Sequence, residues 1–235
     1  MKAFLLAAGI GSRLRPITDT IPKCMIPVGG QPLLGIWLDA FDRAGVGEVL
    51  VNLHHLPDVV RRYLGGRAGT PVVRAFFEPE LLGSAGTLAA NRAWLEGEEM
   101  FLACNADNLT DFNLRTLVET HRKHGEMATL TVFHSERPSA GGVVELDVAG
   151  TVTGFAEKPR QPVSDLVNAG MYAFRPDVLD VLDQLGPPPA DIGYHLLPRL
   201  VGRAKGVLVE DYLRDLGTVD AYERAQQEWL MRAAL

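Results

Sequence analysis

Residues 2–8 form a strand apolar enough to be buried on both faces, and it empties directly into a turn that carries Gly9 and Gly11. No other feature constrains the fold as strongly. A strand buried on both faces belongs inside a parallel sheet, and residues without side chains at its carboxyl end let backbone N–H groups approach an anion. Arg13 and Arg15 follow, and Lys23 stands eight residues after Arg15. Leu14 occupies the place of the third glycine in a dinucleotide-binding turn, and no Gly-Lys-Ser/Thr ending of a P-loop follows. The turn reads as a phosphate grip of another kind; an ordinary strand-to-helix turn is the alternative for the glycines alone.

Strand and helix patterns then alternate. Strands are expected at 2–8, 48–52, 72–77 and 100–103, and helices at 33–44, 57–64, 84–95 and 114–124. Right-handed crossovers turn this repeat into a mainly parallel sheet covered on both faces, with ligands at the carboxyl ends of its strands. After Ala128 the pattern changes. Residues 142–146 and 152–157 alternate around an Asp147-Val148-Ala149-Gly150 turn, as in an antiparallel hairpin. A strand at 166–174, a helix at 177–185 and, past Gly186-Pro187-Pro188-Pro189, a helix around 194–201 complete this part. No stretch resembles a linker or a repeat. The expectation is one domain over 1–235 in three parts: about 1–127, about 128–218 and a C-terminal helix from about 219. That helix, 219–234, puts Trp229 in the core, with a homodimer contact as the alternative.

Composition narrows the function. With 235 residues, 47% of them hydrophobic, the chain can bury the core of one α/β unit with an insertion. A net charge of −6 argues against a nucleic-acid partner while leaving room for local basic pockets. Lys2 before 4–10 imitates a secretory leader, but Arg13 and Arg15 follow at once and no apolar stretch is long enough for a membrane span. Cys24 and Cys104 form no metal-type pair and suit a reducing compartment, so the expected location is cytoplasmic, away from membranes.

Two aspartates carry the chemistry. Asp107, in Asn105-Ala106-Asp107-Asn108, follows an apolar strand and should project into the crevice of the glycine turn; the bland reading is a cap on the helix near 111–114. Asp215 ends a second strand before Leu216-Gly217-Thr218, with an N-cap or an ion pair to Arg214 as its alternative. Two separate carboxylates plus phosphate oxygens are the hard ligands that Mg²⁺ prefers. The small residues of LGSAGT, 82–87, would let a planar nucleobase lie on exposed backbone, or else simply start a helix at Ser84. Glu157-Lys158-Pro159 and Asn168-Ala169-Gly170 suit a hydroxylated, phosphorylated ligand, although each alone also fits a surface turn. His54 and His55, adjacent on an extended segment, point apart and are read as structural or ligand-adjacent. A nicotinamide enzyme would need the missing third glycine and an acidic residue after the second strand, where 52–55 reads Asn-Leu-His-His.

LAAGIGSRLRPITDTIPK followed by PVGGQPLL resembles the N-terminal signature of the sugar-1-phosphate nucleotidyltransferases, and LGSAGT, NADN, EKP, NAGMY and DLGT continue the resemblance in the family's order. It implies a Rossmann-like, GT-A-like nucleotidyltransferase fold of class α/β, with about 1–127 as the nucleotide-binding part and about 128–218 as the sugar-binding part. It also implies Mg²⁺-dependent transfer of a nucleoside monophosphate from a nucleoside triphosphate to a sugar 1-phosphate. Carried over by position, the resemblance implies that Arg13 clamps the triphosphate and Lys23 serves the α-phosphate and the sugar phosphate as the catalytic cations. Asp107 and Asp215 become metal ligands. Gly9, Gly11 and Ser12 cradle phosphates, Gly83, Gly86 and Thr87 face the base, and Leu6, Ala8 and Asn105 join the nucleotide set. Gly142, Glu157 and Asn168 take sugar hydroxyls, with Lys158 at the sugar phosphate.

Ala106 stands where many members have glycine, Leu213 where many have an aromatic residue, and Arg214 is unusual beside a metal ligand; these bear on the tightness of the metal site. The chain ends at Leu235 without the β-helix extension of bifunctional relatives, which points to a short, single-activity form. LGSAGT is closer to the LGTAG of mannose- and heptose-type guanylyltransferases than to the LAQA or LAHA stretch of thymidylyl enzymes, favouring GTP. Glu78 is the candidate reader, since one carboxylate can accept two adjacent guanine N–H donors; a solvated turn residue is its alternative. Mannose 1-phosphate or D-glycero-D-manno-heptose 1-phosphate ranks first as acceptor, ahead of N-acetylmuramic acid or glucose 1-phosphate with UTP or TTP. A catalytically silent nucleotide-sugar-binding regulatory subunit is the alternative of another class.

Overall fold

The computed structural model describes residues 1–184 and 186–233. Leu185, at the end of one expected helix, and Ala234 and Leu235, at the end of the chain, lie outside the described residues. In chain order the elements are β1 (Lys2–Leu6), β2 (Pro27–Val28), β3 (Gln31–Pro32), α1 (Leu33–Arg43), β4 (Glu48–Leu53), α2 (Pro57–Gly65), β5 (Val72–Phe77), α3 (Ser84–Ala90), β6 (Phe101–Asn105) and β7 (Asn108–Thr110). They continue as α4 (Leu114–His124), β8 (Ala128–His134), β9 (Gly142–Leu146), β10 (Val152–Glu157), β11 (Leu166–Phe174), α5 (Val178–Leu182), β12 (Ala204–Leu208), β13 (Leu213–Asp215) and α6 (Val219–Ala233).

Among the described residues nine strands make one sheet, and only β10 and β11 run against the direction of the other seven. The period of two along each strand sends its side chains to two separate cores. Ala3, Leu5, Val49, Val51, Leu102 and Cys104 face α1, α2 and α4, whereas Phe4, Leu50, Phe101 and Ala103 face α3 and α5. Trp229 packs half-buried against the first core, 5.7 Å from the Tyr212 ring. No described helix is long and apolar enough to cross a membrane.

One irregularity opens the sheet. The register of β11 breaks between Asn168 and Tyr172, and Gly170 between them has φ +75°. Before the break β11 pairs with β9 through Val167 and Val143; after it, Met171 to Phe174 pair with β6 along the same edge. β6 and β9 must therefore splay apart, leaving a crevice at the carboxyl ends of β1 and β6. A Cβ on Gly170 would stand 2.5 Å from Asn105 Nδ2 and 3.0 Å from Asn108 Nδ2. Gly170→Ala is thus expected to cost about 1–3 kcal/mol, from left-handed strain and the displaced amides, read as a lower urea midpoint.

Two expected helices take another form. The helix 84–95 breaks at Asn91, whose Nδ2 donates to the Thr87 carbonyl at 2.9 Å, and resumes as a 3₁₀ turn at Arg92–Leu95. The helix around 194–201 is a π-type turn, Ile192–Leu196, followed by a 3₁₀ turn, Leu197–Leu200, in which Pro198 supplies no N–H.

Candidate active site

The crevice holds a cleft of about 450 Å³. Leu6, Ala8 and Gly9 line it from the end of β1, Asn105 and Asp107 from the end of β6, Glu78 and Gly83 from the β5–α3 connection, and Glu157, Lys158 and Asn168 from β10 and β11. Lys23 joins them from a short 3₁₀ turn, Lys23–Met25. Gly11, Ser12 and Arg13 form the turn beyond Gly9, outside this lining, with Gly11 at φ +68°. Cys24 also lines the cleft, but burial pushes its thiol up to about 12, so it stays protonated and unreactive.

The charged centre is built from three remote segments. Lys23 is buried, and its Nζ donates to Asp107 Oδ2 at 2.8 Å and reaches Asp215 Oδ1 at 3.5 Å. β13 pairs with β7, setting Asp215 opposite Asn108, and the Leu216 N–H donates to the Asp107 carbonyl at 2.9 Å. That backbone pairing brings together two carboxylates 108 positions apart in the chain. Loss of solvent, then the neighbouring Asp107, hold the Asp215 carboxyl above its ordinary range, while Lys23 and Arg13 oppose them. Arg13 is close: a Cβ on Gly217 would stand 3.0 Å from Arg13 Nη2 and 2.9 Å from Asp215 Oδ2. The alternative roles of both aspartates are taken by other residues. Asn113 caps α4, Thr218 Oγ1 accepts from the Ala221 N–H at the start of α6, and Arg214 turns away to donate from Nε and Nη2 to the two Glu228 carboxylate oxygens at 2.8 and 2.7 Å.

Among the described residues no group of three or more His, Cys, Asp or Glu side chains is placed to hold a metal by itself. Two carboxylates around one cation position nevertheless fit Mg²⁺, which takes few protein ligands and completes its octahedron with water and phosphate.

The base side departs from expectation. Gly83 has φ +76°, and a Cβ there would lie 2.3 Å from the Ala190 carbonyl oxygen, so this glycine admits the 190 segment. That carbonyl accepts from the Ala85 and Gly86 N–H groups at 2.9 and 3.1 Å. Gly86 and Thr87 are buried behind the wall and do not face the cleft, and Thr87 Oγ1 donates to Glu78 Oε1 at 2.6 Å. Glu78 is 1% exposed, which removes the solvated-turn reading. Its Oε1 also accepts from Asn52 Nδ2 at 2.9 Å, and Oε2 accepts from the Leu82 N–H at 3.1 Å. With three of about four acceptor positions filled, Glu78 can take at most one further N–H, not the two adjacent donors of guanine. Asn52 Oδ1 in turn accepts from the Ala7 N–H at 2.6 Å, tying β1 to this network. His54 and His55 bond the carbonyls of Glu78 and Thr18, each at 2.8 Å, and hold loops.

On the opposite wall Gly142 is buried behind Glu157 and does not line the cleft; a Cβ on it would lie 2.7 Å from Glu157 Oε2 and 2.6 Å from Phe155 Cζ. Its part is to leave room for that carboxylate. Asn168 Nδ2 donates to the buried Tyr172 hydroxyl at 2.7 Å, and Asn168 Oδ1 accepts from the Gly170 N–H at 3.1 Å. Lys158 holds φ 47° and places its Nζ 4.0 Å from Glu157 Oε1. Burial raises the Glu157 carboxyl above its usual range, Lys158 lowers it, and Asp191 raises it further. A carboxyl raised by folding gives stability that is present at acid pH and lost as pH rises through the folded pKa. Glu157→Gln is therefore expected to raise the melting temperature at pH 7 relative to the parent, and to lose that advantage near pH 4.

Asn52, Tyr172, Asp191 and Gly193 line the cleft although the sequence does not mark them as candidate site residues, and Ser84, read from the sequence only as a helix start within the base-facing turn, lines it as well. Asn52 had a usable signal, a polar residue ending an apolar strand run like Asn105; Asp191 had another, an N-cap residue ahead of an apolar helical pattern.

Known proteins share this chain's plan. A 32% identical stretch of 223 residues, 92% of this chain and 61% of the relative, matches the mannose-1-phosphate guanyltransferase beta-A of Xenopus laevis. A UTP–glucose-1-phosphate uridylyltransferase of Synechocystis sp. is 35% identical over 216 residues, 86% of this chain and 55% of its own. The chain thus spans between half and about three-fifths of the length of the curated relatives it matches. The crystal structure of a UDP-glucose pyrophosphorylase complexed with UDP-glucose superimposes with TM-score 0.85 over 98% of each chain at 22% identity, which identifies the fold as Rossmann-like. A sequence model described as nucleotidyl transferase matches residues 2–232, a span that takes in every residue of the cleft, and the chain belongs to that family.

Proposed function

We propose that this chain transfers a nucleoside monophosphate from a nucleoside triphosphate to a sugar 1-phosphate. The observation that carries the proposal is the Lys23 ammonium between Asp107 and Asp215 at the end of the glycine turn. A sugar-phosphate oxygen attacks the α-phosphorus, the new P–O bond forms as the bond to the β-phosphate oxygen breaks, and pyrophosphate leaves with the electron pair. That oxygen is already anionic at neutral pH, so no strong base is needed. The work left to the protein is alignment and charge neutralisation. Lys23 serves the α-phosphate, Arg13 the departing phosphates, and Glu157, Lys158 and Asn168 the sugar phosphate. Asp107 and Asp215 would hold Mg²⁺, which supplies charge neutralisation at the phosphates.

GTP with mannose 1-phosphate or a heptose 1-phosphate is our first pairing, supported by the guanyltransferase relative. The uridylyltransferase relative supports UTP with glucose 1-phosphate as the second. We place the reaction in the cytoplasm, with the two substrates as its partners. Pyrophosphate release measured for four nucleoside triphosphates against a panel of sugar 1-phosphates tests all of this. Turnover is expected only with both substrates and a divalent cation. No turnover with any pair would leave the silent regulatory subunit as the better reading.

A further inference from the structure

We infer that the Ser84 hydroxyl, in the turn expected to face the base, is a positioning group for the sugar side of the cleft, acting through Asp191 and Gly193 on Glu157. The inference rests on the assignment of Glu157 to the sugar. Ser84 Oγ accepts from the Ile192 N–H at 2.7 Å and donates to Asp191 Oδ2 at 3.0 Å. The other oxygen of Asp191 accepts from the Gly193 and Tyr194 N–H groups at 2.8 and 3.1 Å and so fixes the start of the π-type turn. Gly193 lies so near Glu157 that a Cβ on it would stand 2.5 Å from Oε2. A shift of this turn toward β10 meets the carboxylate directly.

The base-side turn does not depend on the same hydroxyl. The Ala190 N–H donates to the Leu82 carbonyl at 2.9 Å, and the Ala190 carbonyl accepts from Ala85 and Gly86. These backbone bonds hold 82–86 whether or not residue 84 carries an oxygen. Without it, the Ile192 N–H and Asp191 Oδ2 both lose their partner, so the disturbance falls on 191–196. A residue in the nucleotide turn should then control the affinity for the other substrate.

The test compares Ser84→Ala, Ser84→Thr and Gly193→Ala. In Ser84→Ala the KM for the sugar 1-phosphate is expected to rise about tenfold, while the KM for the nucleoside triphosphate stays within about twofold. Ser84→Thr, which keeps the hydroxyl, is expected to restore the parent value, and Gly193→Ala to show the same one-sided KM change. Amide hydrogen exchange of the substrate-free protein supplies an independent readout. Exchange over 191–196 should accelerate in Ser84→Ala while that over 82–88 holds. The exchange result decides the latch even if no substrate pair turns over, an outcome that would sink the functional reading instead. Unchanged exchange over 191–196 overturns the latch, and an equal or larger rise in the nucleotide KM overturns its sugar-side role.

Discussion

Lys23→Met is expected to lower the rate of pyrophosphate release at saturating substrate by about a thousandfold, the cost of removing one preorganised charge-stabilising group from a site of this kind. Methionine keeps much of the length and apolar stem of lysine, so packing of the buried side chain changes little while the ammonium is lost. Lys23→Arg is a sharper control. Its planar fork cannot occupy the point where one Nζ lies 2.8 Å from Asp107 and 3.5 Å from Asp215, so most of the loss should persist although the charge is retained. Far-ultraviolet circular dichroism and a thermal melt establish that both variants are folded. A fall of less than tenfold in Lys23→Met would remove Lys23 from the chemistry.

Much of the fold was legible because its signals are local. Residues 72–77, 114–124, 142–146, 152–157 and 166–174 carry their periodicity with few interruptions, and β5, α4, β9, β10 and β11 occupy those spans. The short strands β7 and β13 are different. Each has three residues; a strand ending at Asp215 is expected from the sequence, but its pairing with β7 across the chain is something no window of sequence reveals. β8, antiparallel to β11, and β12, parallel to β8, likewise depend on neighbours that are remote in sequence.

The site divides in the same way. Glycine turns and charged residues at strand ends are visible as residue types, and eleven of the residues expected to bind ligand do line one cleft. What a residue type does not disclose is whether its polar atoms are already engaged. Gly86 and Thr87 read as base-facing because small residues imply exposed backbone, yet Ala190 claims that backbone and Glu78 the hydroxyl. Gly142 reads as a ligand contact, yet its missing side chain makes space for Glu157. Arg214 looks like an intruder beside Asp215 until Glu228, fourteen residues on, is seen to hold it away.

Asp107→Ala and Asp215→Ala are each expected to reduce turnover by a factor on the order of a hundred to a thousand, by loss of charge stabilisation at the phosphates. The informative variant is the double one. If the two carboxylates serve one cation position, removing the second after the first should cost less than about tenfold more, the non-additivity of groups that act as a unit. Independent roles would instead multiply, giving a double-variant loss near the product of the single losses. The geometry favours the first outcome, since a single Lys23 ammonium already contacts both carboxylates and the β7–β13 pairing fixes them side by side. Chelation of divalent ions should abolish turnover of the parent and barely affect the residual rate of the double variant. A multiplicative loss, or a chelator effect of equal size in both proteins, would separate the two aspartates into different functions.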